Sequence, residues 1–318
     1  MQTPPWPRIA VVGAGAVGCY FGAKLAEAGA PVTLIGRAAH MDAIRRVGLL
    51  FESGGSERRV RLDATTGHDA LGEADIVLLC VKTRDTESAA REIAPLLRAG
   101  ALVVSMQNGV DNVERLRAAG VDALGAVVYV AAAMVGPGHL RHSGRGDLVV
   151  GESGGAPAPT TPSSRALAVA QLFERATVPG RAEADVRVAM WDKFVLNCAY
   201  NAISALTGSR YGPMIDAPDV RTLMRRIIGE CVAVAHAEGV PISDTDAQYE
   251  AAIRLGEAMR GASSSMDQDL SAGRPTEIDA MNGYIAARGD AHDIPTPANQ
   301  MLTTLVRLAE KRVGQTPG

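Results

Sequence analysis

The chain has 318 residues, of which 47% are apolar and 21% charged, and its formal net charge is −3. That length supports two domains with sizeable cores, and the near-neutral balance excludes an electrostatic case for a nucleic-acid or membrane-surface protein. No apolar run reaches the length of a membrane span, and the opening MQTPPWPRIAVVG carries no basic-plus-apolar leader, so a cytoplasmic location is expected. Of the 32 basic residues 28 are Arg and four are Lys: Lys24, Lys82, Lys193 and Lys311. Where arginine is the default cation, a position that keeps lysine is a candidate for needing an ammonium, because the two groups differ in pKa range and donor geometry. Cys19, Cys80, Cys198 and Cys231 form no C-x-x-C pair and lie in apolar stretches, which reads as free buried thiols.

In chain order, β-branched runs at 9–12, 32–35, 76–81 and 102–106 predict buried parallel strands, with helices at 17–28, 87–97 and 112–118 between them. Such alternation implies a doubly wound sheet. Segments 126–134, 139–142 and 148–150, separated by Gly136-Pro137-Gly138 and by Gly144 and Gly146, predict antiparallel additions to it. A Gly/Pro/Ser/Thr-rich loop spans 151–164, and a helix at 165–176 with a short strand near 177–182 closes a first domain of residues 1–183. Helical patterns at 186–206, 220–238, 243–261, 276–288 and 297–312 predict an all-helical second domain, 184–318.

Gly13, Ala14, Gly15, Ala16, Val17 and Gly18 follow the first strand directly and open a helix, the context in which a G-x-G-x-x-G motif binds a dinucleotide. The first glycine permits a tight turn, the second lets a pyrophosphate approach the backbone, and the third packs helix on strand. The helix N-terminus supplies amides and partial positive charge for the phosphates. The expected fold is therefore α/β, a Rossmann-type doubly wound sheet followed by an all-helical C-terminal domain. At the end of the second strand Gly36-Arg37 stands where an NAD site places a carboxylate. A guanidinium there suits a 2′-phosphate and predicts NADP(H). Lys82 and Gln107-Asn108-Gly109 follow the third and fourth strands, on the side where ligands gather in open parallel sheets.

Within the apolar stretch AMWDKFVLNCAYNAISAL, Lys193, Asn197 and Asn201 recur at i, i+4 and i+8 on one helical face. A cleft-lining face fits this polarity best; structural polar contacts and an exposed face are the alternatives. Downstream, Thr276 and Asp279 suggest a capping box, with Glu277 in the first turn of a helix. Glu277 there either serves the helix or partners Lys193.

Taken together, GAGAVG at 13–18, VKT at 81–83, QNGVDN at 107–112, WDKFVLNCAYN at 191–201 and SSMDQDLSAGRPTEID at 264–279 resemble the ketopantoate reductase family over nearly the whole chain. The resemblance implies NADPH-dependent reduction of the 2-keto group of ketopantoate (2-dehydropantoate) to pantoate, a step in pantothenate synthesis. It implies that Lys193 is the general acid, that Asn197 and Asn201 hold the substrate, and that Ser265 binds its carboxylate. Glu277 would contact the cofactor and position Lys193, Lys82 and Asn108 would lie on the cofactor side with Asn108 also reaching substrate, and Ala131 would line the nicotinamide. No metal is expected; the partners are a small 2-oxo acid and, as in many relatives, a second copy in a homodimer. One departure stands out: some members carry a further substrate-binding asparagine about ten residues past the second stripe asparagine, and 207–212 here (TGSRYG) has none. Arg210 and Tyr211 are the candidates to replace it. A reductase of another 2-oxo acid and a non-enzymatic NADP(H) sensor are the competing readings; the sensor has no use for the Lys193 constellation.

Overall fold

The computed structural model describes residues 5–154 and 159–313; the terminal residues and 155–158 of the expected Gly/Pro-rich loop lie outside the described residues. The chain divides into two compact units between Arg187 and Val188. The first runs β1 (Ile9–Val12), α1 (Ala16–Glu27), β2 (Val32–Ile35), α2 (Ala38–Val47), β3 (Leu49–Ser53), β4 (Ser56–Val60), β5 (Asp63–Thr65), β6 (Ile76–Leu79), α3 (Thr86–Ile93), β7 (Leu102–Ser105), α4 (Asn112–Ala118), β8 (Ala123–Gly136), β9 (His139–Glu152), α5 (Ser164–Arg175) and β10 (Gly180–Asp185).

Its sheet has the order β4-β3-β9-β8-β7-β6-β1-β2-β5, with β10 also paired to β9. The six strands β8, β7, β6, β1, β2 and β5 pair in parallel, and β8 with β9 is antiparallel. Side chains alternate across the central strands. Ile9 and Val11 of β1 and Ile76 and Leu78 of β6 join one apolar cluster, with α1 and α5. Ala10, Val12, Val77 and Leu79 join another, with α3 and α4. Both faces are therefore covered, which is why these strands read as unbroken apolar runs.

Sequence and structure part in the stretch 38–65, where no element was predicted. Leu49–Ser53 and Ser56–Val60 form a hairpin across Gly54-Gly55, both glycines at positive φ. β4 is exposed along Ser56–Arg59; Arg58 pairs with Glu27, and its guanidinium lies 4.2 Å from the centre of the Phe51 ring. Segments 139–142 and 148–150 are likewise one strand, β9. Gly146 makes a bulge between them, since the register with β8 shifts between Tyr129 and Val130 and Arg145 turns to φ +52. A Cβ at Gly146 would lie 1.8 Å from the Tyr20 hydroxyl, so only glycine passes there.

The second unit is helical: α6 (Arg187–Thr207), α7 (Tyr211–Asp216), α8 (Pro218–Ala237), α9 (Thr245–Ala258), α10 (Ser265–Ser271), α11 (Asn282–Ala291) and α12 (Pro297–Val313). Glu230 of α8 accepts the amides of Ala298 and Asn299 in the first turn of α12, each at 2.9 Å. The helix predicted at 276–288 is broken: a 3-10 turn at Ile278–Ala280 precedes Met281 (φ −118, ψ −104), and α11 starts afterwards. The capping-box reading fails with it. Thr276 Oγ1 accepts from Ile278 N–H at 3.2 Å, whereas Asp279 binds Arg307.

Among the described residues the cysteines are free; Cys19, Cys198 and Cys231 are buried and Cys80 half-buried. Burial pushes the Cys19 thiol up to about 12 and raises those of Cys80 and Cys198 as well. Thiolate is the reactive form. A disulfide exchange reagent at pH 8 is therefore expected to label Cys19, Cys198 and Cys231 only after denaturant is added, as followed by peptide mapping.

Candidate active site

The glycine turn is fixed by contacts that only glycine allows. Gly13 has φ +97, and a Cβ on it would lie 2.7 Å from the Cys80 carbonyl carbon and the Val81 nitrogen. A Cβ at Gly18 would lie 2.4 Å from the Gly13 carbonyl oxygen. Gly15 differs, because a Cβ there would meet nothing within 4 Å. The protein crowds the first and third glycines and leaves the second open, as a phosphate cradle requires. The first helical bond runs from Cys19 N–H to the Gly15 carbonyl, so the amides of Ala16, Val17 and Gly18 precede the ladder of α1. No acidic side chain occupies that first turn.

The amides of Gly13 and Ala14 both donate to the Ile35 carbonyl, at 3.0 and 3.1 Å, which ties the turn to the end of β2. Gly36 and Arg37 follow immediately. Arg37 is exposed at the N-cap of α2 and forms no ion pair among the described residues. His40, one turn further, is held half-buried: its Nδ1 accepts from Gly138 N–H at 2.7 Å and its Nε2 lies 3.3 Å from Cys19 Sγ. Burial lowers its pKa, so it serves as a neutral acceptor.

Strand register aligns the strand ends from which the remaining residues expected on the cofactor side follow. Val12 pairs with Leu79, and Leu79 with Ser105. Gly15, Lys82 and Asn108 each lie three residues beyond those aligned positions. Lys82 is exposed and Asn108 half-buried. Ala131 is half-buried on the part of β8 that runs past the end of β7, opposite Gly144.

In the helical unit Lys193 and Asn197 are half-buried on α6, and Asn201 is 3% exposed. Asn201 Nδ2 donates to Met281 Sδ at 3.3 Å, and Asn282 Nδ2 to the Cys198 carbonyl at 3.1 Å. These bonds stitch the polar stripe to the segment carrying Glu277, which is 9% exposed at the start of the 3-10 turn. Ser264 Oγ donates to the Asn201 carbonyl at 3.2 Å and caps α10, which puts Ser265 at the exposed first position of that helix. Sequence reasoning missed Ser264, Met281 and Asn282 as bracing residues, although all three fall in or beside the motifs. Of the two candidates at 207–212, Arg210 is exposed and donates to the Gly261 carbonyl, while Tyr211 is buried against Tyr200 with ring centres 4.2 Å apart.

Outside these segments, Glu52, Glu57 and His139 bring potential metal-ligand atoms within 4.8 Å of one another. Arg141 already binds Glu52 Oε1 at 2.9 Å, so this is an ion-paired surface cluster.

An open glycine cradle, a carboxyl-edge rank of polar residues and a helical unit bearing a lysine–asparagine stripe define a two-unit dinucleotide-binding protein. The family described as ketopantoate reductase PanE/ApbA matches residues 9–155, and its C-terminal counterpart matches 185–310. The chain belongs to the ketopantoate reductase family. A 2-dehydropantoate 2-reductase of Halobacterium salinarum is 33% identical over 309 residues, covering 96% of this chain and 99% of the relative. The crystal structure of a PanE/ApbA family ketopantoate reductase from Ralstonia eutropha superposes with a TM-score of 0.87 at 45% identity, covering 96% of this chain and 99% of that one. A D-mandelate dehydrogenase shares the fold at TM-score 0.88 and 23% identity, over 97% of this chain and all of its own.

The glycine geometry separates binding from folding. Gly15→Ala is expected to keep the wild-type Tm while weakening NADPH binding roughly tenfold or more, because its methyl enters the phosphate path. Gly18→Ala is expected to lower Tm itself; differential scanning fluorimetry with a nucleotide titration separates the two effects.

Proposed function

We propose that this protein reduces the 2-keto group of 2-dehydropantoate to the hydroxyl of pantoate with NADPH, as a cytoplasmic enzyme of pantothenate synthesis. The observation that carries the reading is the conjunction, in a member of this family, of an open glycine cradle with a half-buried Lys193 at the head of an asparagine stripe. NADPH, when bound, supplies the hydride. The amides at the start of α1 and the backbone at Gly15 hold the pyrophosphate, and Arg37 holds the 2′-phosphate. Lys82, Asn108 and Ala131 accompany the nicotinamide half.

Lys193 gives a proton from Nζ to the carbonyl oxygen as it becomes an alkoxide. Its ammonium also stabilises that developing negative charge. Asn197 and Asn201 orient the substrate, Ser265 takes its carboxylate, and Glu277 orients Lys193 and contacts the cofactor. The stitching of α6 to 277–282 and to Ser264 supports these roles, because a proton donor works only when its geometry is held. Among the described residues no helix is long and apolar enough to cross a membrane. The exposed Met301, Leu305 and Leu308 on one face of α12 support a homodimer.

A second reading keeps the chemistry and changes the 2-oxo acid. It is favoured by the missing asparagine at 207–212 and by the engagement of Arg210 and Tyr211 elsewhere. Comparing kcat/KM across 2-oxo acids with NADPH decides between the two.

Lys193→Ala is expected to lower kcat by about 10²–10⁴-fold with NADPH affinity retained, and Lys193→Arg to fail similarly, since a guanidinium does not readily release its proton. Near-wild-type turnover in Lys193→Ala would remove it from the mechanism. Arg37→Asp is expected to raise KM for NADPH roughly 10- to 100-fold, the worth of a charge-assisted bond, and to leave KM for NADH nearly unchanged. Equal changes for both nucleotides would contradict NADP(H) selection by Arg37.

A further inference from the structure

Behind the carboxyl edge of the sheet lies a chain of buried polar side chains that the chemistry above does not use. Ser105, Gln107, Thr83, Thr86 and Asn112 are between 0% and 7% exposed. Ser105 Oγ donates to Gln107 Oε1 at 3.0 Å, and Gln107 Nε2 donates to Thr86 Oγ1 at 2.7 Å. The Thr86 hydroxyl has the Asn112 Oδ1 at 2.9 Å and the Thr83 carbonyl at 2.8 Å as acceptors for its proton. Asn112 Nδ2 spends its two protons on the Asn108 carbonyl at 2.6 Å and on Thr83 Oγ1 at 3.3 Å. Thr83 Oγ1 then donates to the same Asn108 carbonyl at 2.9 Å.

The chain is directional, and it ends on one backbone oxygen between two loops. One loop follows β6 and carries Lys82; the other follows β7 and carries Asn108. The Lys82 carbonyl is itself pinned by Asp85 N–H at 2.8 Å, and Gly109 turns away at φ +98 directly after Asn108. A buried network is costly unless every member is satisfied, and satisfied it fixes one geometry. Here the geometry fixed is the relative placement of Lys82 and Asn108, the two members of the rank that come from side-chain-bearing loops.

We propose that Asn112, with Thr86 behind it, is a positioning residue for the nicotinamide cofactor, acting by locking the Lys82 and Asn108 loops into one body. This rests on the reading that Lys82 and Asn108 contact that cofactor. Neither Asn112 nor Thr86 touches it: both are fully buried, and their influence passes through the two loops.

The test measures NADPH affinity by fluorescence titration, with Tm of the unliganded full chain alongside. Asn112→Ala is expected to weaken NADPH binding roughly tenfold in the wild-type background, and at most twofold in a Lys82→Ala/Asn108→Ala background, because residues acting as a unit are non-additive. Thr86→Val removes the hydroxyl at constant shape and is expected to behave likewise, whereas Thr86→Ser retains the hydroxyl and wild-type affinity. The Thr86 pair decides the matter if Asn112→Ala does not fold. An equal loss in both backgrounds, or no loss in either, overturns the positioning role and leaves the cofactor assignment standing. Failure of the wild-type chain to bind NADPH overturns the cofactor assignment and the positioning role together.

Discussion

The carboxyl edge of the sheet depends on how closely Gly13 approaches the peptide joining Cys80 to Val81. A side chain there would stand 2.7 Å from that peptide, and the positive φ that makes the turn is unfavourable for any residue with a Cβ. Because the turn is this tight, α1 starts at the level where β6 and β7 release their own loops. The Ile35 carbonyl can then reach two amides of the turn at once. The open turn at Gly15 and the arginine that follows β2 are tied to that contact, while strand register sets the loops bearing Lys82 and Asn108. Gly15, by contrast, meets nothing within 4 Å and leaves the turn open on that side.

Each unit is braced internally by buried carboxamides. In the first, Asn112 spans two loops; in the second, Asn282 spans α6 and α12, reaching the Cys198 carbonyl and Asn299 Oδ1. Asn299 in turn donates to Glu230 at 2.7 Å. Asn112 both donates and accepts, Asn282 donates twice, and a short, stiff stem lets either join neighbouring segments at a fixed distance without carrying charge into the interior. Lys193 and Asn197 stay half-buried, where a charge keeps contact with solvent.

Much of this was legible beforehand, and the reasons are physical. The buried parallel strands were readable because both faces are covered, leaving runs such as Ile9–Val12 and Ile76–Leu79 without polar interruption. The glycine motif was readable because its spacing sits directly between a strand and a helix, although the contact that crowds Gly13 comes from Cys80 and Val81, far along the chain. The lysine–asparagine stripe on α6 was readable because helical period alone sets its face. The hairpin at 49–60 was not, since β4 is four-fifths exposed and its SERRV sequence lacks the apolar alternation of a strand. The break at Met281 was hidden as well, because it is imposed by partners far along the chain: Glu310 takes the Thr276 amide at 2.7 Å, and Asn282 is drawn to α6. Buried networks such as that around Asn112 escape a linear reading for the same reason. Their members are common turn residues, and only the fold brings them together.

The same hairpin that the sequence concealed has a consequence for the protein in a crowded solution. β4 and β5 stand at the two ends of the main strand order. One presents Glu57, Arg58 and Arg59 to solvent, and the other is three residues long. An open sheet edge is a template on which a foreign strand can add. Here one template is charged and ion-paired and the other too short to register a partner. Addition of a strand is thus opposed at both ends of the main strand order.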